Sequence, residues 1–305
     1  MNIEEIIKGI RDRSPRAIAR AITMVENGDV LVEDLLSSLD KEAIDSTMVF
    51  GITGPPGAGK STLTGKIVGY CRKLGKRVGV IAVDPSSPLS GGAIHGDRIR
   101  MMEHSLDMDV VIRSMATRGR LGGLCASAGA VCRILASSGC NPIIIETVGV
   151  GQSEIDIVKI ADVTALVSAP GLGDDIQALK AGLMEVADVM VVNKADKPEA
   201  QMLAVELNEI AREKGTEVIL TIASQGKGVD KLYHAMEKIY IENEKKGIKQ
   251  QKRIEYRKKE ITDWVIEMIR SDIEKKIDSI DTDLDKDPRV VASKVASELK
   301  DVLLN

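Results

Sequence analysis

The spacing of apolar residues changes at about residue 47. Before it, isoleucines recur at helical spacing over residues 3–10, and residues 17–25 repeat the pattern after Ser14 and Pro15. Beyond residue 47, short apolar runs alternate with helical stretches, which is typical of a parallel sheet covered by helices on both faces. The predicted strands span residues 47–53, 77–83, 109–113, 142–146, 163–168, 188–193 and 217–222.

After about residue 240 the chain becomes rich in lysine and glutamate, with apolar residues such as Trp264, Val265 and Met268 at helical spacing. This pattern predicts amphipathic helices outside the sheet, which either pack on their own domain or form an arm for a second copy or a partner. We therefore expect an N-terminal helical extension over 1–45, an α/β domain over 46–240, and a C-terminal helical dimerisation or partner arm over 241–305.

Composition narrows the classes of function. The 305 residues carry a formal net charge of -4, and no concentrated basic face is evident, so nucleic acid is not the expected main partner. The apolar runs are far shorter than the roughly 18 to 20 residues that span a bilayer. We therefore expect no membrane segment and a cytoplasmic protein. The four cysteines and three histidines lack the spacing of metal ligands, which favours buried structural thiols.

A phosphate-binding loop occupies residues 54–61, where the sequence GPPGAGKS matches G-x-x-x-x-G-K-[ST] between a predicted strand and a predicted helix. Glycines let successive amides point at phosphate oxygens, and the helix adds its positive N-terminal end. Lys60 is expected to contact the terminal phosphates, and the Ser61 hydroxyl to ligate magnesium. The predicted phosphate-binding residues are Gly54, Gly57, Ala58, Gly59, Lys60, Ser61 and Thr62. The predicted fold is therefore an α/β P-loop NTPase with N-terminal and C-terminal helical extensions.

A base-reading motif, Asn193-Lys194-Ala195-Asp196, ends the sixth predicted strand. The Asp196 carboxylate can accept hydrogen bonds from the ring N–H and the exocyclic amine of guanine, whereas adenine presents a lone pair at that ring nitrogen. Asn193 and Lys194 are expected to support the base and the loop beneath it. Together, the two motifs predict GTP and GDP as the ligands.

Three acidic residues fall on strand ends or in the following loops. Asp84 ends the second predicted strand, Asp97 follows in a glycine-containing loop, and Glu146 ends the fourth strand three residues before Gly149. Their carboxylates can converge on a magnesium ion or its waters. Each could instead cap a helix or lie solvated in a loop, and the spacing alone leaves these alternatives open.

Four further segments resemble one known family. They are residues 84–88 (DPSSP), 96–101 (GDRIRM), 146–154 (ETVGVGQSE) and 170–174 (PGLGD). In these motifs the chain resembles the methylmalonyl-CoA mutase-associated GTPases, which are G-protein chaperones of adenosylcobalamin-dependent acyl-CoA mutases in the SIMIBI class of P-loop proteins. The resemblance extends from the N-terminal helical extension (residues 17–25) to about residue 235, and the last 65 or so residues match only loosely.

The resemblance implies a homodimer joined through C-terminal helices and GTP hydrolysis that the mutase stimulates. It also implies magnesium held at Ser61 with Asp84, Asp97 and Glu146 nearby. Lys180, in a switch around residues 171–182, is the implied residue that moves toward the nucleotide. The resemblance thus assigns catalytic roles to Lys60, Glu146 and Lys180 and a nucleotide contact to Gly149.

The chain departs from the family pattern after the last strand. The family usually has Thr-Ser-Ala there, whereas this chain has Thr221-Ile222-Ala223-Ser224. We therefore expect a backbone amide of Ala223 or Ser224, rather than a side chain, to contact the guanine oxygen. Met115 also stands where a small polar residue is common.

Two other functions remain open at this stage. A metal-delivery GTPase for a nickel enzyme shares the fold and loops, but it predicts a cluster of histidines or cysteines that the sequence lacks. A kinase or ATPase of amino-acid transport, the family's older description, requires a phosphoacceptor. The sequence does not identify the residue that orients the attacking water, since the direction of Gln152 is unknown. We therefore expect slow intrinsic hydrolysis that a partner accelerates.

Overall fold

The computed structural model describes residues 1–84, 104, 106–116, 127–147, 159–172, 183–279 and 287–303. The chain separates into two compact units, Met1–Tyr256 and Arg257–Asn305. The first contains the sheet with its covering helices, and the second is helical. The functional division at residues 45 and 240 stays a prediction.

A parallel sheet forms the centre of the first unit. Its strands are β1 (Val49–Thr53), β2 (Val78–Asp84), β3 (Val110–Ala116), β4 (Ile143–Thr147), β5 (Val163–Ser168), β6 (Val189–Val192) and β7 (Glu217–Leu220). Their order is β3-β2-β4-β1-β5-β6-β7, with every pair parallel. Each predicted strand is present with its ends shifted by a few residues. Because β1 lies between β4 and β5, the chain reverses its direction across the sheet there, and such switch points form ligand crevices at the carboxyl ends of strands.

Helices precede, connect and follow the strands along the described parts of the chain. They are α1 (Ile3–Arg11), α2 (Pro15–Asn27), α3 (Val32–Ser37), α4 (Lys41–Ser46), α5 (Lys60–Lys73), α6 (Ala128–Ser137), α7 (Leu183–Val186), α8 (Ala200–Lys214), α9 (Val229–Lys245), α10 (Ile248–Asp278) and α11 (Pro288–Leu303). Both helical extensions predicted from the sequence are thus present.

Local sequence explains the N-terminal helices. In α1, the Asn2 side chain accepts a hydrogen bond from the Glu5 amide while Glu5 accepts one from Asn2, so two amide donors at the helix start are satisfied. Ser14 caps the start of α2 (Pro15–Asn27), and Gly28 caps its end in the left-handed conformation. The predicted break between two helices at Ser14-Pro15 is therefore confirmed.

Helices cover both faces of the sheet, as predicted. Helices α5 and α9 cover one face, where Phe50, Leu63 and Tyr233 belong to one buried cluster. On the other face, α7 and α8 cover β5 and β6 through a second cluster that includes Leu166 and Leu207. Alternate residues of each strand therefore face different helices, and this places polar side chains of one strand on opposite faces.

The amino edge of the sheet, where the parallel strands begin, carries an ion pair between a partly exposed arginine and a buried carboxylate. Asp162, which is 2% exposed, accepts hydrogen bonds of 2.9 Å from Arg253 Nε, Arg253 Nη2 and the Val49 amide. Arg253 also donates to the carbonyls of Ile44, Asp45 and Thr47, at and just beyond the end of α4. One side chain of α10 thus joins the sheet to the N-terminal helices.

The described thiols are structural in character. Cys71, Cys132 and Cys140 are buried and form no disulfide, which agrees with the expectation from spacing. Burial raises the pKa of the Cys71 thiol to about 12, so this thiol stays protonated and weakly nucleophilic near neutral pH.

Within the described ranges, no helix is long and apolar enough to cross a membrane.

Candidate nucleotide-binding site

Residues 54–61 connect β1 to α5 in a loop whose backbone excludes side chains at two points. Gly54 has φ 138°, and a Cβ there would lie 2.0 Å from the Val167 carbonyl oxygen. Gly59 has φ 90°, and a Cβ there would lie 2.4 Å from Asn193 Nδ2. Only glycine satisfies both the dihedral angle and the space, so the motif spacing reflects close packing of the loop on β5 and on Asn193.

Lys60 curls back over this loop. Its side chain is buried, and Nζ donates hydrogen bonds to the carbonyl oxygens of Gly54, at 2.6 Å, and Pro55, at 3.0 Å. The positive charge of Lys60 is therefore held against the start of the glycine loop. An ammonium with three donors can exchange a carbonyl for a phosphate oxygen without leaving this position.

Ser61 and Glu146 meet beneath the loop. The Ser61 hydroxyl donates a 2.6 Å hydrogen bond to Glu146 Oε1, and the two residues are 6% and 0% exposed. Hydroxyl and carboxylate oxygens are hard donors of the kind that magnesium prefers, so this pair fits such an ion. Asp84 lies at the end of β2, but the orientation of its side chain is outside the description, and Asp97 lies outside the described residues. Within the described ranges, no group of three metal-binding His, Cys, Asp or Glu side chains is found.

The base-reading motif contacts the phosphate loop directly. Asn193 Nδ2 donates to the Ala58 carbonyl at 2.9 Å, and Lys194 Nζ donates to the Gly57 carbonyl at 2.7 Å. Lys194 has φ 55°, a left-handed conformation that is uncommon for a residue with a side chain. The prediction that these two residues support the loop beneath the base is consistent with these contacts.

The loop after β7 is held by the same asparagine. Asn193 Oδ1 accepts hydrogen bonds from Thr221 Oγ1, at 3.1 Å, and from the Ala223 amide, at 3.0 Å. Since the Ala223 amide is engaged here, Ser224 is the other amide that the sequence offered for the guanine oxygen. Sequence reasoning did not select Thr221. The available signal was a threonine directly after the last strand, but Asn193, its partner, lies 28 positions away in the chain.

Asp196 is exposed in the turn after Asn193, and Ser224 is exposed in the turn Ala223–Gln225. Asp196 follows Asn193 by three residues, and Ala223, the neighbour of Ser224, donates to Asn193. The Asp196 carboxylate and the Ser224 amide therefore lie at the same edge of the sheet as the phosphate loop. Thr62 is also exposed at the first turn of α5. The predicted roles of Gly149 and Lys180 fall outside the described residues.

Comparison with known proteins identifies the family. The profile of the family described as Methylmalonyl Co-A mutase-associated GTPase MeaB matches residues 18–281. The chain belongs to this methylmalonyl-CoA mutase-associated GTPase family. The match includes the phosphate loop, Glu146 and the base-reading motif in one continuous stretch, and the resemblance found in the sequence is therefore confirmed.

Relatives of this chain are named as GTPases. A protein of Pyrococcus abyssi, named as a GTPase, is 46% identical over 276 residues, which cover 87% of this chain and 85% of that protein. GTPase ArgK of Escherichia coli is 36% identical over 248 residues, which cover 77% and 75%. The protein is thus a GTPase that binds guanine nucleotides.

A solved structure supports the fold. The crystal structure described as LAO/AO transport system kinase superimposes with a TM-score of 0.67, covering 98% of this chain and 99% of that chain at 23% identity. At this identity the likeness concerns the fold alone. The predicted P-loop fold is confirmed, and the likeness does not extend to a kinase reaction.

Proposed function

We propose that this GTPase is a chaperone of an adenosylcobalamin-dependent acyl-CoA mutase, in which GTP binding and hydrolysis control cofactor loading and protect the mutase from inactivation. The observation that carries the proposal is the family match over residues 18–281. That stretch includes residues 146–154, whose sequence resembles the family most specifically. The family description itself names methylmalonyl-CoA mutase.

In the proposed nucleotide complex, the amides of Gly54, Gly57, Ala58, Gly59 and Thr62 surround the phosphates. Lys60 exchanges its loop carbonyls for phosphate oxygens, Asp196 binds the guanine ring N–H and amine, and the Ser224 amide binds the guanine oxygen. The exposed position of Asp196 supports this role, because its carboxylate is available to a base from solvent. Gly149 is proposed to contact the γ-phosphate.

Ser61 and Glu146 are the proposed holders of magnesium, with Asp84 and Asp97 near them. When bound, the ion neutralises charge on the β- and γ-phosphates. The 2.6 Å contact between the Ser61 hydroxyl and the Glu146 carboxylate supports this assignment. Lys180 is proposed to approach the nucleotide when the mutase binds, which would add a positive charge during hydrolysis.

The C-terminal helices are the proposed dimer arm. Ile261, Val265 and Met268 on α10 are 55%, 48% and 57% exposed, and they recur at spacings of four and three along one helix face. Apolar side chains exposed in this pattern are typical of helix pairing. We propose a cytoplasmic homodimer that meets the mutase as its partner.

The decisive test is hydrolysis by the purified protein with and without a methylmalonyl-CoA mutase from the same organism. We expect the protein alone to release phosphate slowly. Mutase should raise the rate of hydrolysis about tenfold or more, which is the scale of an added charge that stabilises the transition state. Lys60→Met, which removes the ammonium beside the phosphates, is the control for contaminating activity. Absence of both complex formation and stimulation would contradict the chaperone role while leaving the GTPase activity intact.

A further inference from the structure

Two buried threonines join the strand that leads into the phosphate loop to the strand that carries Glu146. Thr147 Oγ1 donates a 3.2 Å hydrogen bond to Thr53 Oγ1, and the residues are 0% and 1% exposed. Thr53 is the last residue of β1, directly before Gly54, and Thr147 is the last residue of β4, directly after Glu146. The bond therefore joins the carboxyl ends of two neighbouring strands, at the points where the chain continues into the phosphate loop after β1 and into residue 148 after β4.

The pair lies on the face of the sheet away from α5. Phe50 and Ile52 of β1 pack in the cluster that contains Leu63 of α5, so alternation directs Thr53 to the other face. In β4, Glu146 reaches Ser61 of α5 on the first face, and its neighbour Thr147 points to the second. The end of β4 is thus held from both faces, by a serine on one side and a threonine on the other.

The two contacts differ in what nucleotide binding does to them. In the proposed complex, Ser61 and Glu146 would also contact magnesium or its waters, and the Ser61 hydroxyl could still donate to Glu146. The threonine pair is buried on the far face and has no such competing ligand. It adds a side-chain bond to the backbone pairing that joins the end of β4 to the end of β1.

A neighbouring threonine provides the comparison. Thr164 of β5 pairs in register with Gly51 of β1 and is fully buried, and its hydroxyl has no hydrogen-bond partner in the described part of the chain. Valine has the same shape as threonine and suits strands at least as well. Replacing Thr164 by valine therefore removes a hydroxyl from the same face without breaking a bond.

We propose that Thr53 and Thr147 are positioning residues for magnesium-dependent nucleotide binding, acting by holding Glu146 at a fixed place relative to the phosphate loop. This inference rests on the proposed magnesium site at Ser61 and Glu146. Both threonines are buried, and the proposal gives neither of them a contact with the ion or the nucleotide. Their effect therefore appears in how strongly magnesium retains the nucleotide, rather than in nucleotide binding without the ion.

The test measures release of a fluorescent GDP analogue from the full-length protein while magnesium is titrated. The variants are Thr53→Val, Thr147→Val and their double mutant, with Thr147→Ser to restore the hydroxyl and Thr164→Val as the matched control. We expect each single valine variant to raise the magnesium concentration for half-maximal slowing of release by about fivefold, the scale of one buried hydrogen bond. The double mutant should be no worse than either single variant.

Thr147→Ser and Thr164→Val are expected to stay within about twofold of the unmodified protein, and release without magnesium should be unchanged throughout. Equal weakening of binding with and without magnesium would overturn the proposal, as would an effect of Thr164→Val as large as that of Thr147→Val. If Thr147→Val does not fold, Thr53→Val and Thr147→Ser still decide the question. If magnesium does not slow release from the unmodified protein, the proposed magnesium site itself fails, and this inference fails with it.

Discussion

The carboxyl edge and the amino edge of the same sheet are held by different kinds of contact. At the carboxyl edge, the side chains of Lys60, Asn193 and Lys194 donate to carbonyl oxygens of the phosphate loop. At the amino edge, buried carboxylates accept from charged side chains, as Asp162 does from Arg253. Donors on the first edge can exchange partners, whereas a carboxylate on the second would be left charged and buried.

This difference in contacts indicates which edge of the sheet can change its hydrogen bonds when a ligand binds. A hydrogen bond to a loop carbonyl contributes about 1 kcal/mol and can be replaced by one to phosphate. Breaking a buried ion pair costs about 3 to 5 kcal/mol because one charge keeps no partner. We therefore expect changes at the carboxyl edge to alter nucleotide affinity, and changes at the amino edge to alter stability.

The largest effect is expected for Gly54→Ala. The new Cβ would lie 2.0 Å from the Val167 carbonyl oxygen, which belongs to the sheet backbone and cannot move aside. We expect a loss of about 4 kcal/mol, roughly a thousandfold in GDP affinity measured by fluorescence titration. Gly65→Ala is the control, because nothing lies within 4 Å of that Cβ. Unchanged affinity in Gly54→Ala would show that the loop can leave β5.

Arg253→Met is expected to act on stability alone. It leaves Asp162 without the arginine, so the free energy of unfolding in urea should fall by about 3 kcal/mol. Lys238→Met removes a charge from an exposed pair with Glu242 at 4.0 Å and should cost under about 0.5 kcal/mol. GDP affinity should remain within about twofold in both variants. A large loss of affinity in Arg253→Met would break the separation between the edges.

Asp196→Asn tests the base-reading residue. It replaces an acceptor by a group that presents a donor to the guanine N–H, and we expect GTP affinity to fall about a hundredfold. Xanthine has a carbonyl in place of the amine, so affinity for XTP should rise in the same competition assay. Because Asp196 is exposed, the thermal midpoint should not change. If Asp196→Asn lowered both the affinity for GTP and the thermal midpoint, Asp196 would have a structural role instead.

Lys194→Met should give the smallest change. It removes the 2.7 Å hydrogen bond to the Gly57 carbonyl, which lies partly in solvent, so we expect about fivefold weaker GDP binding. Lys197→Met removes an exposed lysine from the same turn and is the matched control. An equal effect of both substitutions on affinity would indicate long-range charge rather than a specific contact.

Local patterns predicted most of the fold. Apolar runs identified all seven strands, and Ser14-Pro15 identified the boundary between the first two helices, because burial and capping act on residues that are close in the chain. The phosphate-loop and base-reading motifs identified the nucleotide from a few side chains with special geometry.

Contacts between distant segments were not predictable in this way. The bond between Thr147 and Thr53 and the one between Arg253 and Asp162 each join residues more than 90 positions apart. Nothing near either residue in the chain specifies its partner, since the pairing follows from strand order. The order β3-β2-β4-β1-β5-β6-β7 was itself beyond the local patterns.

The central place of β1 has a consequence for synthesis of the chain. Its two neighbours are β4 and β5, and Val49 pairs with Ile143. At about 5 to 20 residues per second, β1 leaves the ribosome roughly 5 to 20 s before either neighbour exists. During that interval its apolar residues have no sheet to join. A nascent chain that stops before β4 therefore cannot reach the native arrangement, and chaperones that bind extended apolar segments should recognise it.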